Sequence, residues 1–177
     1  MKTSKVFGIS LILALLGGYA SAQQNVSNRV TLYLGAGSSN DDRFENDETP
    51  MSIGLMGQAA NSRLIVGGDI GFEGTYIDST WSQNDEPDQA LSFNFLLGRS
   101  IVDNGPFKMD LALLAGVRQS FSDCPDSFLG YQCYADQDPE TEYEGNFGGV
   151  ATVSINRFTV GVRASGESAQ IIAGVSF

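Results

Sequence analysis

A two-residue alternation that recurs eight times constrains this chain more than any other feature. From Arg29 to Gly37, Val30, Leu32, Leu34 and Ala36 fall on one face, and Thr31, Tyr33, Gly35 and Gly37 on the other. Successive side chains of a strand point to opposite sides, so this period marks a strand with one apolar face. The pattern returns from about Met51, Leu64, Gln89, Phe107, Tyr143 and Phe158, and finally over Ala169–Phe177. There Ala169, Ile171, Ala173, Val175 and Phe177 oppose Gln170, Ile172, Gly174 and Ser176. Most segments are near the roughly 9 to 11 residues that a tilted strand needs to cross a bilayer. The expectation is an all-β, eight-stranded antiparallel up-and-down transmembrane β-barrel. A closed barrel leaves no edge, which lipid demands because unsatisfied backbone groups there cost several kcal/mol each. A soluble lipocalin-like barrel is the rival; it would turn the apolar face inward and the Asp, Glu and Arg side outward.

The amino terminus reads as an export signal. Lys2 and Lys5 precede an apolar run from Val6 to Leu16, and Ala20-Ser21-Ala22 supplies a small-residue cleavage site. Residues 1–22 are therefore expected to be a signal peptide and residues 23–177 an outer-membrane barrel domain. The apolar run is too short for a spanning helix, and no later segment is long and apolar enough to be one. The net charge of −11 argues against nucleic acid, whose phosphates would be repelled. Cys124 and Cys133 lie close together in a polar segment, and an exported chain is expected to join them in a local disulfide. A metal site would need more ligands, and the sequence contains no His. No cofactor is expected.

The connections give a separate test. Polar, acidic stretches follow the first, third and fifth segments, and tight turns follow the second, fourth and sixth, among them Asn61-Ser62-Arg63 and Asp103-Asn104-Gly105-Pro106. Only the last connection on the loop side is short. Most acidic residues fall in the expected outer loops, leaving Asp69, Glu73, Asp103, Asp110 and Glu144, whereas Arg29, Arg63, Arg99, Lys108 and Arg157 gather at the turn-bearing end. Apolar-face aromatics divide likewise: Phe107, Phe158 and Phe177 lie near the turns, and Phe72, Tyr76, Phe93, Phe121 and Tyr143 near the loops. Two girdles are what the two lipid–water interfaces select.

Asp69, Glu73, Asp110, Arg118, Glu144 and Arg163 occupy the polar side of the alternation and are the expected interior ion-pair network. Charges inside a barrel must be paired or wet. They could form a fixed plug or a narrow pore for small solutes, gated as carboxylates exchange guanidinium partners. The plug is favoured: eight strands leave an interior just wide enough for side chains. Met56, Ile65, Leu96, Leu114, Val150 and Ile172 point the same way. The acidic Asn40–Glu45 stretch lacks the Gly and ligand spacing of an EF-hand loop and reads as solvated loop.

The closing segment, with Ile171, Ala173 and Val175 leading to Phe177, resembles the last strand of bacterial outer-membrane barrels, which implies recognition by the barrel-assembly machinery. Together with the eight segments, short turns and acidic loops, the mature chain resembles the small outer-membrane barrels of the OmpA, OmpX and Ail type. A further, peptidoglycan-binding domain after the barrel is not expected. The resemblance is one of pattern and transfers no site residue. It implies a location in the outer membrane of a Gram-negative envelope, among lipid and lipopolysaccharide. It also implies a structural or surface-interaction role in adhesion or envelope integrity, with an extracellular ligand taken by the loops. Barrels of this shape that deacylate or palmitoylate lipid A resemble Ser and His chemistry, and a chain without His is not expected to be an enzyme.

Overall fold

The computed structural model describes residues 28–40, 49–76, 88–123 and 140–177. Within them the chain forms β1 (Arg29–Ser39), β2 (Met51–Gln58), β3 (Leu64–Tyr76), β4 (Asp88–Asp103), β5 (Phe107–Asp123), β6 (Glu140–Ile155), β7 (Phe158–Ser165) and β8 (Ser168–Ser176). Each strand pairs antiparallel with the next, and β8 pairs with β1 to close the barrel. Beyond β8, Phe177 still takes part in closure: its N–H donates to the Val30 carbonyl at 2.9 Å and its carbonyl accepts from the Val30 N–H at 3.2 Å. The strands β4, β5 and β6 run past the lengths expected from alternation, because backbone pairing continues where the side-chain period fades. The signal segment, the cysteines and most of the acidic loops lie outside the described residues.

The turns sit where the punctuation predicts. Asn61 and Asn156 adopt φ of 58° and Gly105 φ of 75°, left-handed conformations that Asn and Gly tolerate best. Three register shifts interrupt the ladders, between Phe72 and Thr75, Ser100 and Val102, and Gln119 and Ser122. Gly74, at φ 76°, occupies the first of these.

The alternation has one sense throughout. Leu34, Leu55, Leu64, Phe95, Leu113, Phe147, Val160 and Ile171 are exposed on the outer wall, with apolar neighbours above and below them on every strand. Inside, Tyr33, Met56, Ile65, Leu96, Ala112, Leu114, Val150 and Ile172 form one buried cluster across the midsection. So extensive an apolar exterior around so small an apolar core is unstable in water and suited to lipid tails. The chain is a transmembrane barrel, and the orientation required by a soluble barrel is excluded. Phe107, Phe158 and Phe177 are exposed toward the turns, and Phe72, Phe93 and Tyr143 toward the loops.

Candidate functional site

The loop-side half of the interior is organised around Arg163 of β7. Its guanidinium lies between two carboxylates that the pleat of β3 presents on one face, Asp69 and Glu73, four residues apart. Nε and Nη2 donate to Asp69 Oδ1 at 3.1 and 2.7 Å, while Nη1 and Nη2 donate to Glu73 Oε2 and Oε1 at 2.6 and 2.8 Å. Arg163 and Glu73 are 0% exposed and Asp69 3%. Between the carboxylates, on the same inward face, stands Gly71. A Cβ there would come within 2.6 Å of Ser92 Oγ and 3.0 Å of Arg163 Nη2, so the missing side chain makes the space the guanidinium occupies.

Neutral donors complete the carboxylates. Tyr33 donates to Asp69 at 2.8 Å and Asn94 at 2.9 Å, while Ser92 and Asn146 each donate to Glu73 at 3.0 Å and Ser165 at 2.7 Å. Ser168 also reaches Glu73 and is itself held by Gln170, which accepts from Ser52. Every strand except β5 contributes to this set. Tyr33 reaches β3 from β1 by crossing the intervening β2 at Gly54, its register partner, where a Cβ would strike the phenol ring. Buried charge persists only when satisfied in this way, and the cluster ties seven strands at one level.

The six charged residues expected to form one interior network separate into three groups. Asp69, Glu73 and Arg163 make the central cluster. Nearer the loops, Arg118 Nη2 meets Glu144 at 2.9 Å and Nε meets Glu167 at 3.2 Å; the Glu144 side chain is 53% exposed, so this pair is at the wet mouth. Asp110 joins neither, which corrects the expectation of a single network. It lies eight residues from Arg118 on β5, roughly 26 Å along the strand at 3.3 Å per residue. The apolar layer of Leu96, Leu114, Val150 and Ile172 intervenes. Its partner is Arg29 of β1, at 2.6 Å.

Arg29 Nη1, Asp110 Oδ1 and Gln58 Oε1 are buried without a partner among the described residues. Beside this pair a run of hydroxyls crosses the turn-side end, Thr31 to Ser176 to Thr159 to Ser154, with separations of 2.8 to 2.9 Å. The interior is thus layered as polar cluster, apolar belt and polar floor. Sequence reasoning missed Tyr33, Asn94, Asn146, Arg29 and Glu167; the spacing Asp69-x-Gly71-x-Glu73 was the one available sign of a guanidinium cradle. Ile171, Ala173, Val175 and Phe177 all face outward. No group of His, Cys, Asp and Glu among the described residues is arranged to hold a metal ion.

No family model matches the sequence, and no curated protein matches it. Among solved structures, the chain is similar to the attachment invasion locus protein Ail of Yersinia pestis in complex with the heparin analogue sucrose octasulfate. The identity is 12% and the TM-score 0.49, over 87% of this chain and 100% of that one. The backbone structure of Ail in a phospholipid bilayer nanodisc gives 12% identity and a TM-score of 0.46 over the same shares.

Proposed function

We propose that this chain is an outer-membrane barrel protein with a structural or surface-interaction role, in which the barrel is an inert anchor and the acidic outer loops meet the partner. One observation carries this reading above others: an apolar outer wall surrounds an interior filled from side to side. Met56, Ile65, Leu96, Leu114, Val150 and Ile172 are each at most 4% exposed. A filled barrel transports little, and the serine hydroxyls beside Glu73 are sealed in with a carboxylate already paired to Arg163, so the loops are left as the working surface. The charge of the chain, −11, favours a partner with a cationic face. A disulfide between Cys124 and Cys133 would hold one loop in a single shape, contributing about 2 to 3 kcal/mol to its order.

The reading is tested on the refolded protein in lipid. Planar-bilayer recordings should show no conductance, or rare small events, and steady large conductance would replace the anchor by a pore. Reduction should leave the heat-sensitive gel mobility of the barrel unchanged while weakening binding to envelope-exposed or host-surface proteins. A barrel that melts on reduction would contradict the assignment of the disulfide to a loop.

A further inference from the structure

The outer wall carries one charge that its surroundings do not explain. Arg99 of β4 is exposed on the lipid-facing side, and its register partners on the adjoining strands are Leu64 and Leu111. Along its own strand it stands between Leu97 and Ile101. All four neighbours are exposed apolar side chains, and Ile101, Phe107 and Met109 continue the apolar wall from Arg99 toward the turn. The arginine is therefore inside the apolar belt, four residues from the end of β4, or roughly 10 Å along the membrane normal for a strand tilted by about 40°. No carboxylate or carbonyl among the described residues pairs with its guanidinium. Asp103, at the foot of the same strand, is taken by Lys108 at 3.3 Å.

An outward arginine is disfavoured at the bilayer centre and tolerated near an interface, where the long side chain can bring its head to the polar layer. In that layer the counter-ion is the lipid phosphate, whose oxygens match the guanidinium fork. The Arg63 carbonyl accepts the Ser100 N–H at 2.8 Å, which sets Arg63 level with the buried Ser100, whereas the β3 partner of Arg99 is Leu64. We propose that Arg99 is a docking site on the barrel wall for the phosphate of an anionic phospholipid in the leaflet at the turn end. The acyl chains would lie along Leu64, Leu97 and Leu111. The site rests on the transmembrane reading and adds to it a preferred lipid.

The test uses the full chain refolded into phosphatidylcholine vesicles that carry a trace of spin-labelled phosphatidylglycerol or spin-labelled phosphatidylcholine. The motionally restricted fraction of each label gives their relative association with the barrel. The wild-type protein should prefer the anionic label, and Arg99→Gln should lower that preference about fivefold, the factor expected from one arginine near an anionic surface. Arg157→Gln, in the exposed β6–β7 turn, should leave it unchanged. A wild-type barrel with no preference overturns the proposal without recourse to any variant, as does Arg99→Gln with the wild-type preference. If neither label is restricted, the transmembrane reading itself fails, a result distinct from equal restriction of both.

Discussion

Two arginines lie buried among the described residues of this barrel, and they are treated differently. Arg163 is shared between two carboxylates, and both carboxylates are completed by Tyr33, Asn94, Asn146 and serine hydroxyls. Arg29 meets Asp110 through one short contact, and an Nη1 and an Oδ1 remain buried without a partner among the described residues. The residue types and their burial are alike; the difference lies in the surroundings. At the Arg163 level, Gly54 and Gly71 open space and small polar residues converge on it. At the Arg29 level the neighbours are Thr and Ser, which mostly bond one another. A buried ion pair is only as favourable as the set of partners around it.

The largest effect should come from Arg163→Met. It leaves two buried carboxylates without their cation, and unfolding in urea from lipid vesicles should show a loss of about 3 to 5 kcal/mol. A loss no greater than that of Arg29→Met would erase the contrast between the two levels. The double change Arg29→Met with Asp110→Leu sharpens it from the other side. Removing both charges and their unpartnered atoms should be neutral or stabilising, by up to about 4 kcal/mol. The matching pair at the upper level, Arg163→Met with Asp69→Leu, still abandons Glu73 and should remain destabilising.

Gly71→Val tests whether the cradle is made by absent atoms. Its side chain would enter the guanidinium's space and should destabilise by about 1 to 3 kcal/mol. Gly57→Val, where a Cβ meets only the Val66 carbonyl at 3.7 Å, should change little. The same urea titrations compare the two. The smallest effect is expected at the mouth. Arg118→Gln breaks contacts to Glu144 and Glu167 in the wetter part of the barrel and should cost at most about 1 kcal/mol. A larger loss there would mean that the mouth belongs to the central cluster.

How much of this was legible in the sequence follows from what each pattern depends on. The eight strands, their order and their turns were legible because a tilted strand with one face in lipid must alternate over its whole length, and because Asn61, Gly105 and Asn156 punctuate it. The apolar layer was legible for the same reason: Met56, Leu96 and Ile172 break the polar side of the alternation. The grouping of charges was not. Alternation tells which way Asp110 and Arg118 point, and distance from the turns sets Arg118, Arg163, Glu73 and Glu144 in the upper half, but which of them meet depends on tilt and on the stagger between strands. Glu167, in the short connection before β8, carries no sign of a partner in the sequence, yet it lies against Arg118.

The sequence by itself determined the number of crossings, the face given to lipid and the inward direction of Asp69, Glu73, Asp110, Arg118 and Arg163, because these follow from a local period of two and from turn chemistry. Tertiary structure alone decided which charges meet. Closing β8 onto β1 and staggering the register bring β3 and β7 level across the lumen, so Arg163 reaches Asp69 and Glu73 from some ninety residues away in the chain. No local pattern encodes that pairing, and it is the pairing that makes one arginine a keystone and leaves the other half-satisfied.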